Sequence, residues 1–175
     1  MTEIIKNVLP KNTNLEIINL LIKSSNWYIA LDAPNATILD KLLDDNIHSG
    51  FSMTTFNKNK QGYINENLNL FAFIITDIIC DKINIKNYEV DRFMWNYYLK
   101  NNEGINHVDQ KENNYISILY SLHDGDGGIQ IGDNFYQDVM GEAKIFKSNV
   151  YHKGIGPKTK NARFNLNIVL KICTN

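Results

Sequence analysis

Two side chains that commonly bind metals stand two residues apart in the segment GINHVDQ (104–110). In a β-strand, residues i and i+2 point to the same side, so His107 and Asp109 would present an imidazole and a carboxylate to one point in space. A third candidate ligand, His152, lies in the strand-like segment NVYHKGIG (149–156). Two histidines and one carboxylate on one face are the ligands of non-haem Fe(II) oxygenases, although an isolated His-x-Asp pair also arises by chance.

A basic residue follows His152 and strengthens this hypothesis. Arg163 opens the segment RFNLNIVL (163–170), in which strand alternation separates a polar row from an apolar row. The polar row is Arg163, Asn165 and Asn167, and the apolar row is Phe164, Leu166 and Ile168. A guanidinium binds a carboxylate through two parallel hydrogen bonds, and a neighbouring amide can add another. The alternative is a surface salt bridge of Arg163, which would contribute little.

The segment YEVDRFMWNYYL (88–99) shows the same alternation. One face of this predicted strand is aromatic and predicts a helix packed over it: Phe93, Trp95 and Tyr97. The other face is mixed and suits the polar interior of a small barrel that holds a ligand: Arg92, Met94, Asn96 and Tyr98. A solvated sheet face is the alternative for this second row.

The remaining histidines and cysteines carry weaker signals. His48 in a loop and His123 beside acidic residues are predicted to be surface residues. The segment DGDGG (124–128) lacks the ligand spacing of a calcium loop and predicts a hairpin turn. Cys80 and Cys173 form no disulfide framework, which favours a reducing compartment.

Length and composition predict one domain over residues 1–175, since 43% of the residues are hydrophobic. Residues 1–87 are predicted to supply supporting helices and flanking strands, and residues 88–172 a strand-rich core. The predicted helices cover about 12–24, with an apolar stripe of Leu15, Ile18, Leu21 and Ile22, and 65–85. The predicted strands are 26–32, 48–57, 88–99, 113–122, 127–132, 141–148, 150–155 and 162–173. Short antiparallel strands braced by helices indicate a barrel or sandwich.

The charge balance predicts no broad affinity for nucleic acid or anionic membranes, because 18 basic and 19 acidic residues leave a net charge of −1. No signal-peptide pattern and no apolar run near 20 residues occurs, so we expect a soluble protein in the cytoplasm. The sequence makes no prediction of oligomeric state.

Four segments in order resemble the 2-oxoglutarate and Fe(II)-dependent dioxygenases, in particular their prolyl-4-hydroxylase-like branch, which is common in bacteria and phages. They are RFMWNYYLKNNEGINHVDQ, YISILYSLHDGDGGIQI, GEAKIFKSNVYHKGI and ARFNLNIVL. The resemblance spans about residues 88–172 and implies a double-stranded β-helix, or jelly-roll barrel. It implies Fe(II) bound by His107, Asp109 and His152, and Arg163 bound to the distal carboxylate of 2-oxoglutarate. The cytoplasm would be that of a bacterium, or of the host cell of a phage.

The resemblance also assigns cosubstrate contacts. Asn165 occupies the position of a Ser or Thr that lies beside the distal carboxylate in many relatives, and Tyr98 is placed like a tyrosine that contacts the cosubstrate. Relatives commonly have Tyr-Leu-Asn where this chain has Ser121-Leu122-His123. Either Tyr98 is sufficient, or Tyr120 makes the contact, although alternation turns Tyr120 to the opposite face.

The implied activity is hydroxylation of an unactivated C–H bond with Fe(II), O₂ and 2-oxoglutarate, releasing succinate and CO₂, with ascorbate as an optional addition. The implied substrate is peptidyl, prolyl-like, or a free amino acid. The alternatives are a non-catalytic cupin-like jelly roll that binds a metal or small ligand, a structural domain in which the three ligands never converge, and a zinc hydrolase. A nucleic-acid dealkylase is disfavoured, because beyond Arg163 only Lys171 could supply the additional basic residue on this strand.

Overall fold

The computed structural model describes residues 2–29, 50–58 and 65–173. The helices are α1 (Lys11–Lys23) and α2 (Glu66–Lys82). The strands are β1 (Glu3–Ile5), β2 (Tyr28–Ile29), β3 (Phe51–Asn57), β4 (Tyr88–Leu99), β5 (Tyr115–Ser121), β6 (Gly128–Ile131), β7 (Asn134–Gln137), β8 (Ala143–Lys147), β9 (His152–Ile155) and β10 (Ala162–Ile172).

The strands form two antiparallel sheets. The larger sheet has the order β1-β8-β5-β10-β4-β3-β2, and the smaller has the order β7-β6-β9. From β4 onward the chain passes repeatedly between the sheets: β5, β8 and β10 lie in the larger sheet, and β6, β7 and β9 in the smaller. This winding is that of a jelly roll, and it confirms the predicted double-stranded β-helix.

The chain between β4 and β5 completes the smaller sheet. Two isolated antiparallel bridges, Glu103 with Ile155 and His107 with His152, place this segment beside β9. The segment is an irregular edge rather than a continuous strand, and Asp109 lies in a bend. The alternation from which the His107–Asp109 pair was predicted therefore does not describe the local backbone.

Helix α2 covers the aromatic face of β4, as predicted. Its N-terminus is capped by Asn65, whose side chain accepts a hydrogen bond from the Leu68 N–H. Phe73 packs edge-to-face on Phe93 with ring centroids 4.8 Å apart. The larger core cluster lies between the helices and the larger sheet, and it includes Ile17, Ile75, Trp95, Ile118 and Leu166.

Helix α1 buries a face that overlaps the predicted stripe only at Leu21 and, in part, at Ile18. Its buried residues are Asn14, Ile17 and Leu21, whereas Leu15 and Ile22 are exposed. The buried Asn14 accepts a 2.6 Å hydrogen bond from the Tyr120 hydroxyl. An internal polar pair therefore replaces an apolar contact, and periodicity of apolar residues alone does not detect it.

The predicted hairpin at 124–128 is wrong, because this segment connects β5 in the larger sheet to β6 in the smaller sheet. The tight hairpin follows β6, where Gly132 has a positive φ of 56°. His48 and the last three residues of the strand predicted over 26–32 lie outside the described residues, and β2 covers Tyr28–Ile29 of that prediction. In the described part of the chain, neither helix has the length and apolarity that a bilayer crossing requires.

Candidate metal centre

The two candidate histidine ligands face each other across the smaller sheet. His107 and His152 form both hydrogen bonds of an antiparallel bridge, with N···O distances of 2.9 and 2.8 Å. Residues directly opposite in such a pair project to the same side. Their ring centroids are consequently 4.5 Å apart.

The carboxylate of Asp109 lies near the Nε2 atoms of both rings. His107 Nε2 is 3.9 Å from Asp109 Oδ1, and His152 Nε2 is 3.5 Å from Asp109 Oδ2. One ligand atom from each of the three residues lies within 4.8 Å of the others. Neighbouring ligand atoms around a metal with bonds of about 2.0–2.2 Å are roughly 3 Å apart, so a small approach of the side chains would complete such a site. The three residues converge, which excludes the alternative in which they are unrelated.

Each imidazole is held with its Nε2 free to bind a metal. His107 Nδ1 lies 2.8 Å from the Ile105 carbonyl oxygen, and His152 Nδ1 lies 3.0 Å from that of Val150. A carbonyl can only accept, so each Nδ1 carries the hydrogen and donates it. The lone pair is then on Nε2, which points toward Asp109.

Asp109 is held ionised and oriented by its neighbours. Its side chain is 1% exposed, and its Oδ1 accepts a hydrogen bond from Arg92 Nη2. Its Oδ2 accepts from Ser117 Oγ at 2.6 Å and from Asn167 Nδ2 at 3.3 Å. Burial by itself would raise the pKa of Asp109, but Arg92, His152 and the Ser117 hydroxyl together hold it well below its usual range. The carboxylate is therefore anionic at neutral pH.

A cavity opens from the metal site into the barrel between the two sheets. About 460 Å³ of space, including the open mouth, lies between its walls. Polar residues of the larger sheet form one wall, and Leu119 and Ile129 contribute apolar surface. The lining includes Asn96, Tyr98, His107, His152, Arg163 and Asn167. The mixed face of β4 is thus the barrel interior, not a solvated surface.

Arg163 is fully buried in this cavity wall. Its Nε and Nη2 donate to Oδ2 and Oδ1 of Asp138, the second over 3.3 Å. Its Nη1 is buried and has no hydrogen-bond partner among the described residues. A buried donor without a partner is costly, and a ligand carboxylate in the cavity would satisfy it. Arg163 is thus neither exposed nor in the surface salt bridge considered as the alternative.

The two candidate tyrosines have different locations. Tyr98 lines the cavity, and its ring lies 4.9 Å from the Arg163 guanidinium carbon. Tyr120 lies in the core on the opposite face of the larger sheet, where its hydroxyl donates to Asn14. Burial raises the pKa of Tyr120 to about 12. The alternative that Tyr120 contacts a cosubstrate is therefore wrong.

Asn165 is buried next to Arg163 on the predicted face of β10, but it is not among the residues that line the cavity. Its Oδ1 accepts from Asn96 Nδ2 at 3.1 Å, and its Nδ2 has no partner in the described chain. His123 lies at the surface only in part. It is half-buried, and its Nε2 accepts a 2.9 Å hydrogen bond from the Phe164 N–H.

Sequence reasoning missed several polar groups of the site. Asp138 and Ser117 carried no pattern that distinguishes them from surface residues. Lys144 did carry one, because strand alternation in AKIFK places it on the face of Phe146 and opposite Ala143 and Ile145. A lysine in the inward row of a buried strand is a detectable signal.

The donor set fits a first-row metal of the non-haem iron type. Two imidazole nitrogens and one carboxylate leave coordination positions free on the cavity side. The buried, unpaired Arg163 Nη1 in the same cavity fits a bound carboxylate. Both observations concern residues of this chain, and together they match an iron site with an adjacent 2-oxoglutarate site.

No protein-family model matches this chain, and no curated protein sequence matches it. Solved structures do match it in fold. A viral collagen prolyl hydroxylase from Paramecium bursaria Chlorella virus-1, in its 2-oxoglutarate complex, is 13% identical with a TM-score of 0.61. The match covers 99% of this chain and 96% of that one.

Two further solved structures also match this chain in fold at low sequence identity. A prolyl hydroxylase from Trichoplax adhaerens, in complex with a hypoxia-inducible-factor peptide fragment, is 14% identical with a TM-score of 0.66 over 98% of this chain and 83% of that one. A non-haem α-ketoglutarate-dependent epimerase of nogalamycin biosynthesis is 9% identical with a TM-score of 0.70 over 99% and 79%. At such identities the matches establish the fold alone, and they confirm the predicted jelly roll.

Proposed function

We propose that this protein is an Fe(II)- and 2-oxoglutarate-dependent dioxygenase. The observation that carries the proposal is the convergence of His107, Asp109 and His152 at one end of a cavity whose wall contains Arg163 with an unpaired Nη1. A zinc hydrolase would need the three ligands but would have no use for a buried guanidinium in the same cavity.

Each residue has a defined task in this proposal. His107 and His152 bind the metal through Nε2, and Asp109 binds it as an anion. Arg163 Nη1 donates to the distal carboxylate of 2-oxoglutarate, and Tyr98 packs on the guanidinium and borders the cosubstrate. The bound iron supplies the oxidation, in which one oxygen atom of O₂ enters the substrate C–H bond and the other enters succinate as CO₂ leaves.

The substrate we propose is a peptidyl, prolyl-like residue or a free amino acid. Two of the structural neighbours are named as prolyl hydroxylases, and one of them was solved with a peptide. The epimerase among the neighbours is a reason to test other substrates, because one fold supports several outcomes. The near-neutral net charge gives no support for a nucleic-acid substrate.

A spectroscopic experiment tests the metal and cosubstrate together. Purified protein mixed with Fe(II) and 2-oxoglutarate without oxygen is expected to develop a weak visible charge-transfer band. His107→Ala is expected to lose the band, because one of three protein ligands is removed. A variant that keeps the parental band would contradict the metal assignment.

The role of Arg163 is tested separately. Arg163→Met should still bind the metal but should need a much higher 2-oxoglutarate concentration to form the band. Lys171→Met is the matched control, because it removes a cation from the same strand outside the cavity lining. Equal 2-oxoglutarate affinities of Arg163→Met and the parent would contradict this assignment.

One observation favours a second function. The Arg163 guanidinium already has an internal carboxylate partner in Asp138, as it could in a cupin-like protein that binds a metal without oxidising anything. Succinate formation decides between them when the protein is supplied with a panel of peptides, amino acids and oligonucleotides. Metal binding with no 2-oxoglutarate-dependent band and no succinate would favour the non-catalytic protein.

A further inference from the structure

A chain of buried charged and polar groups lies behind the cavity wall. Arg163, Asp138 and Lys144 are each at most 1% exposed, and Ser121 is fully buried. We call these four residues the buried charge network. Arg163 lies in β10 and Asp138 directly after β7, while Lys144 lies in β8 and Ser121 in β5. Four separate parts of the barrel therefore supply the network. A lysine and an arginine so deeply buried are unusual without a function or a partner.

The hydrogen bonds of this network converge on the carboxylate of Asp138. Lys144 Nζ donates to Ser121 Oγ at 3.1 Å, and Ser121 Oγ donates to Asp138 Oδ1 at 2.8 Å. Asp138 in turn accepts from Nε and Nη2 of Arg163. Two of the three guanidinium nitrogens are thereby held in place. The third, Nη1, is the one without a partner among the described residues.

The charge balance explains why a second cation is needed. The pair of Arg163 and Asp138 is neutral overall, so an anionic ligand would meet no net attraction from it. Bringing a carboxylate beside a buried carboxylate is also repulsive. Lys144 adds one positive charge, and the three charges together sum to +1. This is the charge that a single distal carboxylate requires.

The sum remains +1 when the neighbouring Glu142 is counted together with its second partner, Lys6. Glu142 Oε2 lies 3.6 Å from Lys144 Nζ, and Glu142 Oε1 lies 3.6 Å from Nζ of the exposed Lys6. Glu142 is thus shared between a buried and an exposed cation. Burial lowers the pKa of Lys144, while the carboxylates of Asp138 and Glu142 oppose that effect.

We propose that Asp138 and Lys144 are positioning residues for the distal carboxylate of 2-oxoglutarate. Asp138 orients Arg163 so that Nη1 is presented to the cavity, and Lys144, acting through Ser121, offsets the negative charge of Asp138. The inference rests on the proposed function. Neither residue lines the cavity, so both act through Arg163.

The test is a double-variant cycle of 2-oxoglutarate affinity, measured anaerobically on the Fe(II) protein. Lys144→Met removes the charge and keeps the length of the side chain, and it is expected to weaken 2-oxoglutarate binding at least about tenfold. In the double variant with Asp138→Asn the network again carries a charge of +1, and the oxygen that this substitution keeps can still accept from Arg163 and orient it. The affinity of the double variant is expected to return to within roughly threefold of the parent.

Controls separate charge from folding. Lys147→Met, at an exposed lysine on the same strand, and Lys144→Arg, which keeps the charge, should bind 2-oxoglutarate like the parent. Lys144→Met should raise KM for 2-oxoglutarate and leave kcat unchanged. If Lys144→Met does not fold, Ser121→Ala interrupts the hydrogen-bond relay with a smaller change and should weaken binding by about threefold.

A ligand without a distal carboxylate tests whether Lys144 acts on that carboxylate. 2-Oxobutyrate lacks the distal carboxylate, so the parent and Lys144→Met should bind it equally. The proposal is overturned if Lys144→Met binds 2-oxoglutarate like the parent, or if the double variant is as weak as Lys144→Met. In both cases the parent still binds 2-oxoglutarate, whereas a parent that does not bind it would contradict the proposed function instead.

Discussion

The carboxylate of Asp109 shows how much of this site depends on single atoms. Both of its oxygens accept hydrogen bonds, one from Arg92 and the other from Ser117 and Asn167. Charged donors keep a buried carboxylate ionised, and fixed donors orient it toward the two Nε2 atoms. In the proposed centre Asp109 is the only anionic protein ligand.

We expect Asp109→Asn to lower metal affinity by at least about 100-fold, because a neutral amide replaces the anionic ligand. Titration with Mn(II) or Co(II) measures this without any substrate. Asp91→Asn is the matched control, since that carboxylate contacts Gln110 rather than the metal site. An unchanged affinity in Asp109→Asn would show that the metal binds elsewhere.

Strand β9 leaves space in the cavity at Gly154, which follows His152 on the same inward face. A Cβ built at Gly154 would lie 2.2 Å from the Tyr98 hydroxyl oxygen and 2.5 Å from its Cζ. The absence of a side chain at this position therefore makes the room that Tyr98 occupies. Tyr98 in turn lies against the Arg163 guanidinium. β4, β9 and β10 thus set the shape of the cavity jointly.

Gly154→Ala should destabilise the protein by about 1–3 kcal/mol, because the added methyl group overpacks the barrel. It should also weaken 2-oxoglutarate binding, since Tyr98 has to move from its position on Arg163. Urea unfolding and ligand titration measure the two effects. At Gly125 the nearest atom to an added Cβ is 3.5 Å away, so Gly125→Ala should have little effect on either. Equal behaviour of both variants would refute the role of Gly154.

At the scale of the whole molecule, the two faces of the larger sheet have opposite character. The face toward the helices is apolar and contains the main core. The inward face borders the cavity, and the smaller sheet across that cavity carries the candidate ligands His107 and His152. A small apolar cluster lies between the sheets: Leu119, Ile129, Ile131 and Phe146. Stability therefore depends on buried ion pairs as well as on apolar burial, and it should depend on pH.

The pKa of Asp138 indicates the direction in which stability should change with pH. Burial alone would raise its pKa, but Arg163 and Ser121 hold the pKa below its usual range. The folded state thus binds this proton less tightly than the unfolded state. The stabilisation is present above about pH 4 and is lost as the pH falls through that value toward the folded pKa.

The free energy of unfolding, measured by urea titration between about pH 7 and pH 3, should consequently fall less steeply with acid in Asp138→Asn than in the parent. Asp133→Asn, at an exposed position in the β6–β7 turn, should keep the parental slope. A parental slope in Asp138→Asn would indicate that the Arg163 pair does not contribute to acid sensitivity.

The sequence by itself determined the alternating strands, the aromatic and polar faces of β4 and β10, and the identity of the three candidate ligands. These features are local, because side-chain direction in a strand follows from a period of two. The same reasoning predicted a hairpin at 124–128, which was wrong, and it missed the contact of the half-buried His123 with β10. Neither the contact of His123 with β10 nor the crossing between sheets leaves a local pattern.

Only the tertiary structure decided which polar residues meet. Which groups meet depends on how the chain winds between the two sheets. This winding brings His107 close to His152 and pairs Arg163 with Asp138. It also places Lys144 behind that pair. The different locations of the two tyrosines were decided in the same way: Tyr98 lines the cavity, whereas Tyr120 donates to Asn14 of α1 on the opposite face of the sheet. Spacing along a chain names candidate ligands, but their convergence is a property of long-range strand pairing.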